Sequence, residues 1–491
     1  MKDLGGSSEK NRRASENTKC GSYRVHPLSV VDYITPYFFV FLLPFARFSL
    51  NSLLDIRLPV ALISEIVFCL VIIVCSTIKW KNTSLKYKNN SLEIAEGLFF
   101  RKKTEIQLER ITVIEVITDL RGRMFGCALV RINTEAGSKG KADFQIRLRS
   151  RDTAALLCDV GMWDNGKAVR FSPFRVVLTA ASISSALGGL LLVSPAIKRI
   201  GDLLGVAMEQ VLIDRINTLN TAVSLFPPAV NAAVIILTVL YGIAFLISFC
   251  KIANLRVTPS STVKVERGLI IRKQIFISSA NISSVITEQT PIMRLLKRYI
   301  LKINVAGYAG KRAESAVLVP CATRREIKGI LDGEEEGEAS VRLKPHTSQR
   351  WRFYLKPTVL LLVSLAVSAT SAALFEQLGQ LIAFCELAIV LIVFYYFSLA
   401  RYDAVSSALI IGDKISAKHS RGSVVRAVCC DARRIGVIDI SRWPRDRREG
   451  TCRIRLLQCA KNDDYIKLKH LPYTETKSAV SRLCGHNIKE K

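Results

Sequence analysis

Histidine is scarce in this chain. Its 491 residues hold five, His26, His346, His419, His470 and His486, and none sits with a metal-partner pair or a Ser or Cys nucleophile motif. No Walker loop, Gly-x-Ser-x-Gly or His-Glu-x-x-His occurs either. Gly188-Gly189 runs straight into Leu190-Leu191-Leu192, a context for close helix packing rather than phosphate binding. Enzymatic readings fail for lack of parts, and no metal or cofactor is expected. Acid is also short: 41 Asp and Glu stand against 70 Lys and Arg, a net charge of +29. Such an excess fits a cytoplasm-facing membrane protein, or modules held against anionic lipid at about 1 kcal/mol per basic residue. Nucleic acid is disfavoured because no aromatic stacking platform interleaves the basic residues.

The 13 cysteines lack metal-ligand spacing. Cys69, Cys75, Cys250 and Cys385 lie in apolar runs. Cys127, Cys321 and Cys452 read as small core residues, and the adjacent Cys429-Cys430 cannot form an ordinary disulfide. A cytoplasmic location predicts reduced thiols. Residues 1–24 carry no apolar h-region, so they read as a disordered tail rather than a signal peptide.

Long apolar runs are what the chain has in abundance, with 49% hydrophobic residues gathered between charged stretches. They fall in pairs: near Val30 to Phe45 with Leu58 to Ile78, Pro173 to Ile197 with Ala229 to Cys250, and Pro357 to Leu374 with Leu381 to Leu399. A bilayer core of roughly 30 Å needs about 20 apolar residues in a helix. The pattern therefore predicts about six spans in three hairpins, over residues 25–78, 173–250 and 351–400. The Val30 run is short and carries Asp32, Pro36 and Pro44. Basic residues collect outside the short hairpin turns, which places both termini and the intervening modules in the cytoplasm. Trp80 and Trp351 stand where interfacial anchors would. Between the second pair, Ile200, Leu203, Leu204, Met208, Val211, Leu212 and Ile216 fall at helical spacing. They predict an amphipathic helix in the extracellular loop.

After each pair comes the same basic, strand-rich module, over residues 79–165, 251–332 and 401–486. The first carries Gly97-Leu98-Phe99-Phe100-Arg101-Lys102, the second Gly268-Leu269-Ile270-Ile271-Arg272-Lys273, and the third the looser Gly422-Ser423-Val424-Val425-Arg426. About fourteen residues on, a second signature opens with Ile111, Ile282 or Ile435. Nineteen residues beyond that isoleucine each copy has an alternating strand, at Val130, Leu301 and Ile454. Internal repetition of this length means repeated domains. Each module ends in a short helical pattern, so strands closed by one helix are expected. An acidic stretch, Asp332 to Glu338, opens a linker over residues 333–350 ahead of the third apolar pair.

This order resembles the bacterial pleckstrin-homology (bPH2) domain of the YdbS/YdbT type, over nearly everything from about residue 25 to 485. The third copy departs most: Ser423 replaces the leucine, and Trp443-Pro444-Arg445-Asp446-Arg447-Arg448 interrupts a strand connection. The resemblance implies PH-like barrels with a C-terminal helix, alternating with α-helical transmembrane hairpins. It also implies a smaller single-module membrane partner in a hetero-oligomer, and a non-enzymatic scaffold in envelope stress or antimicrobial-peptide tolerance. Fold alone does not set function.

Candidate sites follow from the repeat. Arg101, Lys102, Lys103, Arg272 and Lys273 can contact lipid phosphates or form a solvated strand face. Gly97, Gly268 and Gly422 read as turn glycines, and Ile111, Ile282 and Ile435 as strand starts. Glu65 and Glu386 fall inside apolar runs, where ionisable groups are costly. They suggest an interhelical contact or, alternatively, proton coupling in a transport or export component. Direct anionic-lipid sensing is the third reading.

Overall fold

Strand β5 (Ile111–Thr118) is rich in β-branched residues, and six of its eight side chains are buried on both faces alike. That pattern belongs to a central strand rather than to the half-solvated strand of a small barrel, and it carries the architecture. A computed structural model describes residues 21–35, 58–135, 143–184, 228–305, 316–331, 341–345, 351–374, 401, 407–458 and 465–484, apart from positions 89, 99, 164–165, 412 and 422–423.

In the first module β1 (Gly21–Arg24), β2 (Ser84–Lys88), β3 (Ser91–Glu96) and β4 (Lys102–Gln107) form an antiparallel sheet in sequence order. A 3-10 turn over Leu108–Arg110 leads into β5. The helix Leu120–Met124, β6 (Cys127–Thr134), β7 (Phe144–Arg149) and the helix Ser150–Asp159 follow. The second module repeats the plan with β8 (Val169–Arg170), β9 (Arg256–Thr258), β10 (Thr262–Arg267), β11 (Arg272–Ser278), β12 (Ile282–Gln289), β13 (Tyr299–Val305), β14 (Ala316–Ala322) and the helix Arg324–Leu331. The third has β15 (Val341–Leu343), β16 (Ser407–Ile411), β17 (Lys414–Arg421), β18 (Val424–Asp431), β19 (Ile435–Ser441), β20 (Thr451–Gln458), β21 (Tyr465–Pro472) and the helix Tyr473–Cys484.

The modules are joined edge to edge. One seven-stranded sheet runs β7-β6-β5-β11-β10-β9-β8, and another β14-β13-β12-β18-β17-β16-β15. The second half of each module thus continues into the first half of the next. The cores interlock in the same way. Phe276 of β11 lies in the first module's core, Val113 of β5 in the second's, and Ile286 of β12 in the third's. Burying a side chain the size of Phe276 stabilises by about 2–3 kcal/mol, so each junction holds its neighbours together through hydrophobic burial as well as main-chain pairing.

Short-range chemistry sets the helix starts. The Asp119 side chain accepts the Gly122 N–H at 2.7 Å and begins Leu120–Met124. At the equivalent place Thr290 begins Pro291–Leu295. Thr323 and Glu326 exchange side-chain-to-backbone bonds of 3.2 and 2.9 Å, a capping box at the start of Arg324–Leu331.

The expectation of about six transmembrane helices in three hairpins is corrected here. Among the described residues no helix is long and apolar enough to cross a membrane, which leaves open crossing by strands. The reasons are local. The helix Ser29–Ile34 spans six residues, and Pro173–Ile183 spans 11 before Ser184 turns extended, whereas crossing needs about 20. The multi-pass topology, with both termini and all modules in the cytoplasm, rested on those spans and has no support from the described helices. The apolar run over 381–399, the amphipathic segment over 200–216 and the acidic segment over 332–338 lie outside the described residues.

Candidate functional site

Two polar clamps sit in the junctions. At the first, β11 pairs with β5 so that Ile277 faces Val113 and Lys273 faces Ile117. Glu115, 3% exposed, accepts Lys273 Nζ at 2.7 Å from the next module and lies 3.8 Å from Arg131 Nη1 of its own. At the second, Cys430 faces Ser284 and Arg426 faces Glu288. Glu288 lies 2.8 Å from Arg426 Nε in an ion pair and accepts Lys302 Nζ at 2.5 Å. Each clamp joins one buried carboxylate to one cation from either side. A buried charge needs this arrangement, because a lone one would be desolvated without compensation. Two side chains outside the strands add to the junctions: Asn281 Nδ2 donates to Ile111 O at 3.4 Å, and Arg434 Nη2 to Ala280 O at 2.7 Å.

Each module also grips the helix that precedes it. Arg147 donates to Asp32 at 2.8 Å and to Asp119 at 3.1 Å. Arg175 Nη2 donates to Glu326 at 3.0 Å. Arg352 reaches Asp446 at 3.4 Å and also bonds Glu449. Burial acts to raise the Asp119 pKa, yet Arg147 and the Gly122 N–H outweigh it and hold the carboxyl below its ordinary value. The Glu326 carboxyl is likewise held low, first by the Thr323 N–H and then by Arg175 against the opposing effect of burial.

The turns after Gly97 and Gly268 form a rim at the ends of two long apolar helices. Gly97 has φ +155 and Gly268 φ +103, and a Cβ there would come within 1.9 Å of Phe100 O or 2.0 Å of Ile271 O. These glycines let the backbone fold back on itself. Asn82 Nδ2 donates to Leu98 O at 3.2 Å, and the Leu269 N–H donates to Cys250 O at 2.9 Å, so each turn abuts its helix end. The turns expose apolar side chains: Phe100 is 91% accessible, and Leu269, Ile270, Ile271 and, beside Arg123, Met124 and Phe125 are also open; Leu295, 85% accessible, ends Pro291–Leu295 as Met124 ends Leu120–Met124. Arg123 Nη2 donates to Leu269 O at 2.9 Å. Beside that contact lies a cavity of about 360 Å³ lined by Arg123, Arg256, Arg267, Arg272 and Glu266.

The sequence-derived candidates separate in space. Arg101 is exposed, with Nη2 3.4 Å from Asn82 Oδ1, and Lys102 is exposed on β4. Lys103 lies 3.6 Å from Glu93. Arg272 is half-exposed and pairs with Glu266, while Lys273 turns into the first junction. Ile111 is buried, and Ile282 and Ile435 are half-buried. Gly422, Glu386 and the side chain of Glu65 lie outside the described residues. Sequence reasoning missed Glu115, Glu288 and Arg147. A glutamate in the middle of the apolar run of β5 was the available signal for the first.

Antiparallel sheets of three or four strands, a 3-10 corner and a terminal helix, repeated along the chain, define PH-like modules. The family profile for the bacterial PH domain matches residues 38–159 and 206–335, more than half of the chain, and the chain belongs to that family. It is a YdbT-like member: it is similar to UPF0699 transmembrane protein YdbT of Bacillus subtilis (strain 168), 27% identical over 128 residues. That match covers 24% of this chain and 24% of the relative. No solved structure matches.

Proposed function

We propose that this protein is a non-enzymatic, membrane-associated interaction platform whose fused PH-like modules lay their glycine-turn rim against anionic lipid. The observation that carries this reading is the continuity of apolar helix faces with a basic rim. Leu70, Val74 and Ile78 on one helix, and Val239 and Leu246 on another, are exposed. Contiguous apolar surface of this kind marks a site of protein or membrane contact. The helix ends abut turns bearing Phe100, Arg101 and Ile271, followed by Arg272. Apolar side chains beside arginines suit the headgroup boundary, where the aliphatic part meets acyl chains and the guanidinium meets phosphate. The relative named as a transmembrane protein supports membrane association.

The test uses the full-length chain and flotation with vesicles containing phosphatidylserine or phosphatidylcholine alone. Retention on the anionic vesicles should fall as salt rises. Arg101→Glu with Arg272→Glu should weaken it roughly tenfold or more, at about 1 kcal/mol per basic residue. Phe100→Ser with Leu295→Ser should weaken binding to both vesicle types. Equal retention on neutral and anionic vesicles, unchanged in either variant, would sink the reading.

A further inference from the structure

The two internal junctions are built alike, and among the described residues one half of such a junction lies open on β4 and the other half on β19. Lys273 and Arg426, the cations that cross the junctions, each lie six residues ahead of a 3-10 turn, as does Lys102 ahead of Leu108–Arg110. The junction registers coincide as well: Ile277 opposite Val113 corresponds to Cys430 opposite Ser284, each two residues ahead of the turn. β4 is the outer strand of its sheet, and β19 is the outer strand of β19-β20-β21. β4 is the counterpart of β11 and β18, and β19 the counterpart of β5 and β12. The two edges are therefore complementary, and among the described residues neither has a pairing partner on its outer side.

The side chains on these edges match the first clamp. Asp439 faces Arg455 across β19 and β20, just as Glu115 faces Arg131 across β5 and β6. Asp439 is exposed, and Lys102 on β4 is exposed. Val437 is 52% exposed, where its counterparts Val113 and Ser284 are 0% and 3%. A strand that is buried in two modules thus lies open in the third. Arg110, counterpart of Asn281 and Arg434, which bond back across their junctions, is exposed too.

We propose that a second copy of this chain completes the pattern, its β4 adding to β19 of the first so that Lys102 closes a clamp on Asp439 and Arg455. Carried over from the internal junctions, the register sets Lys102 opposite Ser441, Lys103 opposite Ile440 and Ile106 opposite Val437. The two surfaces differ, so the contact is head to tail, and it propagates into a ring or a filament. The proposal stands on the sheet edges and is independent of lipid binding. Lysine on an outer strand also serves elsewhere to block unwanted pairing. That role predicts the opposite response to removing Lys102, which makes the two separable.

The full-length chain in mild detergent should sediment at twice the monomer mass or more. Lys102→Glu should reduce it to monomer with its circular dichroism spectrum unchanged, and Lys102→Glu with Asp439→Lys should restore the assembly. Mixing isotope-labelled Lys102→Cys protein with unlabelled Ser441→Cys protein under oxidation should give a disulfide between labelled and unlabelled chains, located by mass spectrometry. A monomeric wild type, an assembly untouched or enlarged by Lys102→Glu, absence of the mixed disulfide, or a different and smaller protein seated on these edges would each overturn the proposal.

Discussion

Lys273 Nζ lies 2.7 Å from Glu115 Oε1 across the boundary between two modules, within one continuous sheet. The pair shows how the repeat is used. Each module gives its fifth strand to its successor, which supplies both the next strand and a cation for a carboxylate that strand pairing has removed from water. Arg426 and Glu288 repeat the arrangement one junction later. The first module excised by itself, without β8 to β11, would leave β5 with a bare edge and Glu115 without Lys273.

Glu115→Ala strands Lys273 beside an apolar strand, and is expected to lower the unfolding free energy by about 3 kcal/mol. Lys273→Met together with Glu115→Ala should recover part of that loss. A double-mutant cycle on the denaturant midpoints should show a coupling of about 1 kcal/mol or more. Additive effects would mean that the contact contributes nothing beyond its parts.

Gly268→Ala is expected to cost more than Gly126→Ala, although both glycines have positive φ. The Gly268 site brings a new Cβ to 2.0 Å from Ile271 O, while Gly126 faces open space. Backbone strain alone amounts to about 1–2 kcal/mol at Gly126, and the collision at Gly268 adds to it. Urea denaturation of the two variants gives the comparison, and equal costs would show that the turn relaxes freely.

Arg147→Met removes the donor shared by Asp32 and Asp119 while keeping the bulk of the aliphatic stem. Loss of about 3 kcal/mol is expected from the two carboxylates left behind. Hydrogen exchange should show the helix Ser29–Ile34 opening before the sheet does. Unchanged protection in that helix would indicate that it is held by packing alone.

His470 gives the third module a response to acid. Burial lowers its pKa, Asp446 opposes that, and Arg352 and Arg453 lower it further. Its Nδ1 lies 3.3 Å from Arg352 Nη1 and accepts from it when the ring is neutral. The unfolded chain therefore binds a proton more readily than the folded one. The stability this histidine contributes is complete above the ordinary value near 6.5 and is lost as the pH falls through the lower folded value. His470→Gln should flatten the slope of melting temperature against pH in that window. A slope identical to wild type would assign the acid response elsewhere.

The repeat was legible because it depends on local chemistry. Gly97 and Gly268 mark turns that no side chain would fit, and Ile111, Ile282 and Ile435 mark strands that begin after a tight corner. The roles of the cations were not legible. Arg272 and Lys273 are neighbours of the same charge, yet one is half in solvent and the other is inside a junction. Alternation along a strand puts them on opposite faces, but cannot say that a second sheet half covers one of those faces. Asp32 was legible only as an oddity in an apolar run. Its partner Arg147 is 115 residues away.

By itself, the sequence determined the recurring glycine turns, the strand starts after them, the helical ends and the apolar character of the segments between. Each of these follows from residue spacing within a few turns of chain. Tertiary structure alone decided that the repeats share sheets, that Glu115 and Glu288 are buried at the joins, and that β4 and β19 are left as matching edges. Strand pairing joins residues far apart in the chain through main-chain groups that every residue carries. Which edges meet is therefore set by where whole modules come to rest.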